Sequence, residues 1–376
     1  MMKTMNCSRE SQNITKEMTT HYTLRLKRFI VVGSLFLWTF PALFSQDIHY
    51  SQFYNAPMLL NPGLTGIFNG NVRFMANYRS QWTAVPVDYQ TFSAVADIKF
   101  NRRYTINRTF FSAGLAFNYD RAGYSKLQLA NLGLNGSLTR MFSDHFFGTL
   151  GGQVSFNQRG FKTDALTFDE QFVFDRGQYI PNAPNGETFG KTNRSFADFS
   201  LGFNFRLQAL DQSGLTDFLD QRSKLDFGVG FHHLTQPNQA FFEDETERLD
   251  LRFSPYAMGL LQLTDELDLA ANIFGQFQGP YREYLGMLGA RLYLDRQLGN
   301  QWAFQLGIGY RLNNNFGDAF MPSLELFFNN WQAGFSYDVN ISDINVATSR
   351  RGGPEFSVRY LFKTPKRPGR RNCPLI

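Results

Sequence analysis

The chain has 376 residues, a formal net charge of +5 and an aromatic fraction of 16%, to which 41 Phe contribute. This length allows one large domain or two ordinary ones, and a mean hydropathy of −0.31 excludes a bundle of apolar helices. Most of the excess positive charge lies before residue 46 and after residue 362, so the body between is slightly acidic. A nucleic-acid-binding protein is therefore poorly supported.

Residues 1–45 read as a secretory signal peptide. The basic stretch LRLKR precedes FIVVGSLFLWTF at residues 29–40, and PALFSQD follows it. A charged region, an apolar stretch of about a dozen residues and a small-residue site form such a signal. We predict cleavage near Ser45–Gln46. The alternative is a short membrane anchor, but the apolar run ends at Pro41 and is shorter than a spanning helix requires.

The next segment, residues 46–69, is neither alternating nor helical in pattern. Its Asn61-Pro62-Gly63 tripeptide is a turn signal. We expect this segment to lie at the periplasmic mouth of the following domain or to fold into its interior. The alternative is a simple lead that packs on the rim.

Residues 70–362 are dominated by strand patterns. In WAFQLGIGYR, at residues 302–311, Trp302, Leu306 and Tyr310 fall on one side, and small or polar residues fall on the other. Similar alternation recurs in FSAGLAFNYD, FSLGFNFRL and WQAGFSYD. Period-two alternation of this length predicts β-strands with one apolar face. About fourteen such segments are present, and only residues 208–221 suggest a short helical connection.

The connections between these strands differ in length. Residues 142–144, 263–266, 294–300 and 329–330 are tight, whereas residues 157–195, 233–249, 312–319 and 339–353 form longer links. If the first strand runs outward, nearly all the tight turns fall at the periplasmic end. The links at 100–108 and 208–223 are longer than this rule expects. Short inner turns and long outer loops are typical of an outer-membrane barrel.

A soluble β-sandwich also alternates apolar and polar residues along its strands. The composition of the non-apolar face therefore helps to decide between a sandwich and a membrane barrel. The non-apolar face is mostly Gly, Ser, Asn, Ala and Gln, and charged residues are only 18% of the chain. Trp and Tyr cluster near strand ends, as interfacial girdles require. We therefore predict an all-β fold, a transmembrane antiparallel β-barrel of about 14 strands, with large residues facing lipid and small residues facing the lumen.

The sequence offers few candidates for catalytic or metal-binding residues. His232-His233 is an attractive metal-binding or base pair, but adjacent strand residues point to opposite faces, so we expect no shared function. Cys373 would be the sole cysteine after cleavage, which leaves no disulfide within the mature chain. No Ser, His and carboxylate set stands in a recognisable nucleophile context. We expect no enzyme activity, no cofactor and no metal.

The family resemblance rests on two regions at opposite ends of the mature chain. The first comprises Gln46-Asp47, Ser51-Gln52-Phe53-Tyr54, Pro57, Leu60-Asn61-Pro62, Thr65-Gly66 and Asn77-Tyr78-Arg79-Ser80-Gln81-Trp82. The second comprises FSYDVNISDIN at 335–345, Gly353-Pro354-Glu355-Phe356-Ser357-Val358 and Cys373-Pro374. Together these residues resemble the PorP/SprF family, outer-membrane proteins of the type IX secretion and gliding machinery of Bacteroidetes. The ending Leu375-Ile376 departs from the family's more usual basic-aromatic ending.

The resemblance implies a binding role in the cell outer membrane. Its expected partners are a secreted cargo or adhesin with a C-terminal sorting domain, periplasmic type IX ring or peptidoglycan-binding components, and outer-membrane lipid. Nucleic acid is not expected. An outer-membrane transport barrel for a hydrophobic or small solute is the alternative function.

Eight residues are candidates for partner binding or for the structural motif: Asn61, Pro62, Tyr78, Arg79, Gln81, Trp82, Asp338 and Asn340. Among them, Arg79 and Asp338 lie near strand ends and are able to form an ion pair in the lumen or at the rim. The alternative is that they are unrelated solvated residues. The basic tail at 363–376 is expected to enter the periplasm, either disordered or as an electrostatic contact for a partner.

Overall fold

The computed structural model describes residues 47–82, 89–100, 108–163, 166–173, 175, 177–180, 183–184, 186–187, 190–209, 222–242, 246–297, 299–314, 316–342 and 348–363. The predicted signal peptide, most of the predicted helical connection and nearly all of the basic tail lie outside these residues. Within them, no helix is long and apolar enough to cross a membrane.

Fourteen long antiparallel strands form a closed barrel, which confirms the predicted fold class. In chain order the strands are β1 (Val72–Gln81), β2 (Tyr89–Lys99), β3 (Thr109–Ala122), β4 (Leu127–Met141), β5 (Phe146–Gly160), β6 (Phe172–Val173), β7 (Gln178–Tyr179), β8 (Asn193–Gln208), β9 (Lys224–His232), β10 (Arg252–Gln262), β11 (Leu267–Gln278), β12 (Tyr281–Asp295), β13 (Trp302–Asn313), β14 (Phe316–Phe328), β15 (Trp331–Asn340) and β16 (Arg351–Phe362). Strands β6 and β7 form a separate hairpin in the connection between β5 and β8.

The barrel closes where β1 pairs with β16, so no strand edge is left open. Because the number of barrel strands is even, β1 begins and β16 ends at the same end of the barrel. We call this the terminal end and the opposite one the distal end. The longest connections, residues 161–192 and 233–251, are both at the distal end.

One connection differs from the sequence-based expectation. Residues 312–319 were expected to form a long link, but β13 continues to Asn313 and β14 begins at Phe316. Asn313 pairs with Phe316, with a register shift near Arg311, so only two residues separate the two strands. The polar run NNNFGD therefore extends a hairpin, because backbone pairing of adjacent antiparallel strands continues irrespective of side-chain polarity.

The side-chain alternation follows the prediction. Leu306, Ile308 and Tyr310 of β13 point out of the barrel and are exposed, whereas Ala303 and Gln305 are buried inside it. Exposed aromatic residues mark the terminal end, where Trp302 lies 4.3 Å from Phe328 between ring centroids. A band of exposed apolar side chains bounded by aromatic residues is the surface that a bilayer requires.

A charged residue in the middle of this band will destabilise the barrel according to its depth. Ile308 lies near the midpoint of β13, so Ile308→Arg should lower the free energy of unfolding by about 2–4 kcal/mol. Leu294, exposed at the terminal end of β12, is the matched control, since the same change near the interface costs about 0–1 kcal/mol. Urea unfolding in lipid vesicles measures both. Equal costs at the two depths would contradict the assignment of this surface to lipid.

Three short helical turns precede the barrel, at Phe53–Asn55, Pro57–Leu60 and Pro62–Leu64. A fourth turn, Asp169–Gln171, lies in the β5–β8 connection. The three turns before β1 matter for function because they lie inside the barrel, as their contacts show.

Candidate functional site

Residues 47–71, which we call the N-terminal segment, run through the barrel lumen from the distal end to the terminal end. Asp47 contacts His233 and Arg252, which lie at the distal ends of β9 and β10. Near its other end, the carbonyl of Phe68 accepts a hydrogen bond from Lys99 at the terminal end of β2. A 14-stranded barrel is wider than eight-stranded barrels, whose interiors wall side chains fill alone. The N-terminal segment occupies this additional space.

Near the distal end, Arg79 and Asp338 form a buried ion pair. Nη2 of Arg79 lies 2.7 Å from Oδ2 of Asp338, and the two side chains are 2% and 1% exposed. The same carboxylate oxygen accepts a hydrogen bond from Arg311 at 3.0 Å, while its other oxygen accepts one from the Ser51 hydroxyl at 2.7 Å. Buried charges require such partners, because an unpaired ion inside a protein costs several kcal/mol.

Glu355 joins this cluster to the backbone of the N-terminal segment. Its two carboxylate oxygens accept hydrogen bonds from the N–H groups of Ser51 and Gln52, each at 2.7 Å. The β-sheet register places Glu355 directly opposite Arg79 on β1 and Ser336 on β15. We call Ser51, Gln52, Arg79, Arg311, Ser336, Asp338 and Glu355 the closure cluster, because it lies where the barrel closes.

A second row of hydrogen bonds lies two residues from Arg79 along β1 and two residues from Glu355 along β16, nearer the terminal end. The side-chain amide of Asn77 on β1 donates to the backbone carbonyl of Asn55 at 2.8 Å. The Asn55 amide in turn donates to the hydroxyl of Ser357 on β16 at 3.0 Å. Residues from both ends of the chain therefore hold the same turn of the N-terminal segment.

In the middle of the lumen, Asn61 and Pro62 pass very close to the barrel wall. The Asn61 amide donates to the Tyr256 hydroxyl and to the Phe203 carbonyl, both at 2.9 Å. A Cβ atom on Gly202 would lie 1.6 Å from Oδ1 of Asn61, and one on Gly151 would lie 2.3 Å from the Pro62 carbonyl oxygen. Only glycine permits this approach of the segment to β5 and β8.

Apolar contacts complete the filling of the lumen. Phe53 stacks on Phe274 with ring centroids 5.2 Å apart, and both belong to a buried cluster. Its other members are Leu60, Leu64, Ile67, Tyr256, Leu285, Met287, Ala319 and Met321. This part of the lumen is apolar, which corrects the expectation that the inward face is uniformly small or polar. Burial of each large side chain contributes roughly 1.5–3 kcal/mol.

At the distal end, His233 bridges two carboxylates. Its ring nitrogens lie 2.7 Å from Oδ2 of Asp198 and 2.7 Å from Oδ2 of Asp47. Burial disfavours the charged imidazole, but the Asp47 carboxylate and the hydrogen bonds to Asp198 and Asp47 outweigh it and raise the pKa of His233. The protonated ring therefore attaches the start of the N-terminal segment to the wall.

This bridge predicts a pH dependence of segment docking. Because the folded-state pKa of His233 is raised, its contribution is complete below the ordinary value of about 6.5 and is lost as pH rises through the folded value. We expect a cysteine introduced by Ile48→Cys, with Cys373→Ser, to react with maleimide about three- to ten-fold faster at pH 9 than at pH 6 after correction for thiolate ionisation. Adding His233→Gln should abolish the ratio. A ratio that persists in that variant would contradict the assignment.

The pair His232-His233 is arranged differently from the sequence-based expectation of opposite faces. His233 lies just beyond β9 with a φ of 61°, so the strand alternation no longer applies to it. Nε2 of His232 lies 3.1 Å from the Leu60 carbonyl oxygen. Both rings therefore contact the N-terminal segment. Among the described residues, no group of three or more His, Cys, Asp or Glu is arranged to hold a metal ion.

Near the terminal end, paired charges hold the last part of the segment. Asp97 accepts hydrogen bonds from Arg73 at 2.8 Å and from the Gly66 backbone N–H at 2.8 Å. Arg73 also donates to the Leu64 carbonyl at 3.1 Å. Across the lumen, Arg206 pairs with Asp226 at 2.7 Å.

The eight candidate residues fall into five environments. Arg79 and Asp338 belong to the closure cluster, and Asn61 and Pro62 lie in the N-terminal segment. Tyr78 faces outward and is 38% exposed. Gln81 and Trp82 are half-buried at the distal end of β1, where Trp82 contacts Tyr89 edge to face at 5.0 Å. Asn340 is buried and donates to the Thr348 hydroxyl at 3.2 Å.

Several residues of the site were not singled out by the sequence. Asp47, Ser51 and Glu355 occurred only within the quoted family motifs. Arg311 and Asp97 were assigned no role. A signal did exist: a charged residue on the inward side of an otherwise alternating strand, as Arg311 is in β13, requires a buried counterion.

The model of the family described as "Type IX secretion system membrane protein PorP/SprF" matches residues 42–360. No match was found among curated proteins. Solved structures that resemble the fold include a Pseudomonas aeruginosa FadL homologue, with 14% identity, coverage of 80% of this chain and 93% of that one, and a TM-score of 0.43. The Ralstonia pickettii toluene transporter TbuX has 10% identity, coverage of 82% and 94%, and a TM-score of 0.42. At these TM-scores the two structures carry no functional argument.

Proposed function

Because the chain belongs to the family of the type IX secretion system membrane protein PorP/SprF, we propose that it is a docking protein of that machinery. It is an outer-membrane component of type IX secretion. In the proposed role, the distal loops hold a secreted surface protein, such as an adhesin, through its C-terminal sorting domain. The terminal end faces the periplasm and contacts ring or peptidoglycan-binding components.

The observation that carries this proposal is the filled lumen. The N-terminal segment crosses it from end to end and bonds to both sides of the wall through buried ion pairs and hydrogen bonds. A barrel with such an interior acts through its surfaces, since a solute path requires the segment to move. The transport alternative lacks a supporting observation.

The lengths of the connections support the direction of the docking. The two longest, 161–192 and 233–251, both join strands at the distal end, and the first contains the β6–β7 hairpin. Long loops in outer-membrane barrels lie outside the cell, whereas short turns face the periplasm. The distal end is therefore the proposed surface for the secreted protein.

The test is affinity capture of the tagged full-length protein after cross-linking in intact cells, with quantitative mass spectrometry. We expect enrichment of a secreted protein with a C-terminal sorting domain and of at least one periplasmic type IX component. The control is a tagged barrel outside this family, produced at the same level. Deletion of residues 172–179, the β6–β7 hairpin, should reduce only the secreted protein. Recovery of neither class from repeated experiments would overturn the proposal.

A further inference from the structure

A cavity of about 260 Å³ lies in the lumen at the terminal end, between the N-terminal segment and the barrel wall. Its lining includes Asn69, Asn329 and Asn330, all of which belong to the terminal end. On its inner side the cavity ends at Tyr54, Leu64 and Ile67 of the N-terminal segment. The cavity therefore lies between the N-terminal segment and the terminal end of the barrel.

The charged residues of this lining are predominantly basic. They are Arg73, Arg206, Arg222, Lys224, Arg291, Arg359 and Lys363, against Asp226 and Glu325. Three of the cations already have carboxylate partners: Arg73 with Asp97, Arg206 with Asp226, and Arg222 with Asp268. The other cations of the lining are Lys224, Arg291, Arg359 and Lys363.

Among the described residues, Lys224, Arg291 and Arg359 have no carboxylate within ion-pair distance. Arg291 is held in place by two hydrogen bonds to Oε1 of Gln305, at 2.9 and 3.1 Å. Its guanidinium also lies 4.0 Å from the ring centroid of Phe327. Arg359 and Lys224 interact electrostatically with Arg291 across the cavity. Asp226 near Lys224 and Glu325 near Arg359 offset this positive charge only in part, and a lining with net positive charge attracts an anionic group.

The cavity also contains one unpaired donor and two unpaired acceptors. Nε of Arg359, Oε1 of Gln332 and Oε1 of Glu325 are buried and have no hydrogen-bond partner among the described residues. Such groups are usually satisfied by a ligand or by water. A carboxylate satisfies the donor, whereas the acceptors require N–H groups. A peptide with acidic side chains supplies both, and inorganic phosphate supplies mainly acceptors.

The chain's own tail does not fit this cavity electrostatically. Residues 364–376 contain Lys366, Arg367, Arg370 and Arg371 and no Asp or Glu. The bilayer does not reach it either, because the barrel wall separates the lumen from lipid.

We propose that this cavity binds an acidic peptide segment of a periplasmic partner, with Arg291, Arg359 and Lys224 contacting its carboxylates. This inference rests on the proposed function, because it assigns the terminal end to the periplasm. The guanidinium groups offer the forked donors that recognise carboxylates. The flanking Asn and Gln side chains contact the peptide backbone.

The test uses fluorescein-labelled hexaglutamate and the detergent-solubilised full-length protein, with fluorescence polarisation at low ionic strength. We expect saturable binding, at least ten-fold weaker in the R291Q/R359Q double variant and weakened by salt. Arg140, an exposed arginine at the terminal end of β4, provides the matched control. R140Q should bind within two-fold of the wild type. Heat-modifiability on SDS gels verifies that each variant is folded.

Three outcomes would overturn the inference. These are the absence of saturable binding, unchanged affinity in the folded double variant, and equal competition by inorganic phosphate at matched charge concentration, which would identify a simple anion site. If hexaglutamate does not bind but cross-linking still recovers periplasmic type IX components, the cavity assignment fails and the docking function stands. If hexaglutamate binds but no component is recovered, the docking function fails.

Discussion

Replacement of Asp338 by alanine will lower the free energy of unfolding by about 3–5 kcal/mol, because it leaves buried cations without their counterion. Arg79 and Arg311 both donate to this carboxylate, and Ser51 attaches the N-terminal segment to it. Glu355 lies 3.8 Å from Arg79 and is already engaged by two backbone N–H groups. Glu355 therefore compensates only in part for the loss of the Asp338 carboxylate as a counterion.

Urea unfolding in lipid vesicles measures this loss, and the temperature at which the heat-modifiable band disappears on SDS gels provides a second readout. Asp265→Ala is the control, because Asp265 also pairs with an arginine but is 65% exposed. Exposed pairs contribute about 0–1 kcal/mol. A cost for Asp338→Ala no greater than that of the control would show that the closure cluster does not stabilise the barrel.

Replacement of Gly202 by valine will displace the N-terminal segment from the barrel wall. A Cβ atom at this position would overlap Oδ1 of Asn61, at 1.6 Å, so either the segment or β8 must move. Overpacking of a well-packed interior costs about 1–3 kcal/mol. The barrel strands have continuous backbone pairing on both sides, whereas the segment is held mainly by side chains. We therefore expect the segment to move.

Maleimide labelling of a cysteine at position 48, in the Cys373→Ser background, measures this displacement. Labelling should be faster in Gly202→Val than in the parent at constant pH, and the folded barrel should remain heat-modifiable. Gly136→Val is the matched control: Gly136 lies on the outward face of β4, and a Cβ atom on it would meet no other atom within 4 Å. Equal labelling in the parent and in Gly202→Val would contradict the observed path of the segment.

The outer surface of the barrel was predictable from the sequence because one physical rule determines it. Every second residue of each strand contacts lipid. The large apolar side chains of residues such as Leu306, Ile308 and Tyr310 are therefore enough to predict that they point outward. Strand number and closure followed from counting such segments. The short connection between β13 and β14 was not predicted, because backbone pairing continues through a polar sequence up to Asn313 and from Phe316.

The interior was less predictable, since its partner is another part of the same chain. Leu285 and Met287 point inward, yet they are as apolar as their lipid-facing neighbour Leu288, because the N-terminal segment covers them. Alternation alone does not separate a protein-facing apolar residue from a lipid-facing one. Similarly, the positive φ of His233 takes this residue out of the strand alternation, and its sequence context did not indicate that angle.

The contacts within the closure cluster were also not predictable from the sequence. Ser51, Arg79, Asp338 and Glu355 are separated by up to 304 positions, and spacing in the sequence gives no distance between them. The family motifs identified the regions that contain them, but not their contacts. The pairing of β1 with β16 brings these regions together, and the N-terminal segment joins them inside the barrel.

The most direct test of the sealed lumen is single-channel recording of the full-length mature protein in planar bilayers. The structure predicts no steady conductance, because the N-terminal segment crosses the lumen from Asp47 to Phe68. Gly202→Val should show open events, and Gly136→Val should remain closed. A steady, solute-dependent current through the unmodified protein would contradict the account and favour a transport barrel.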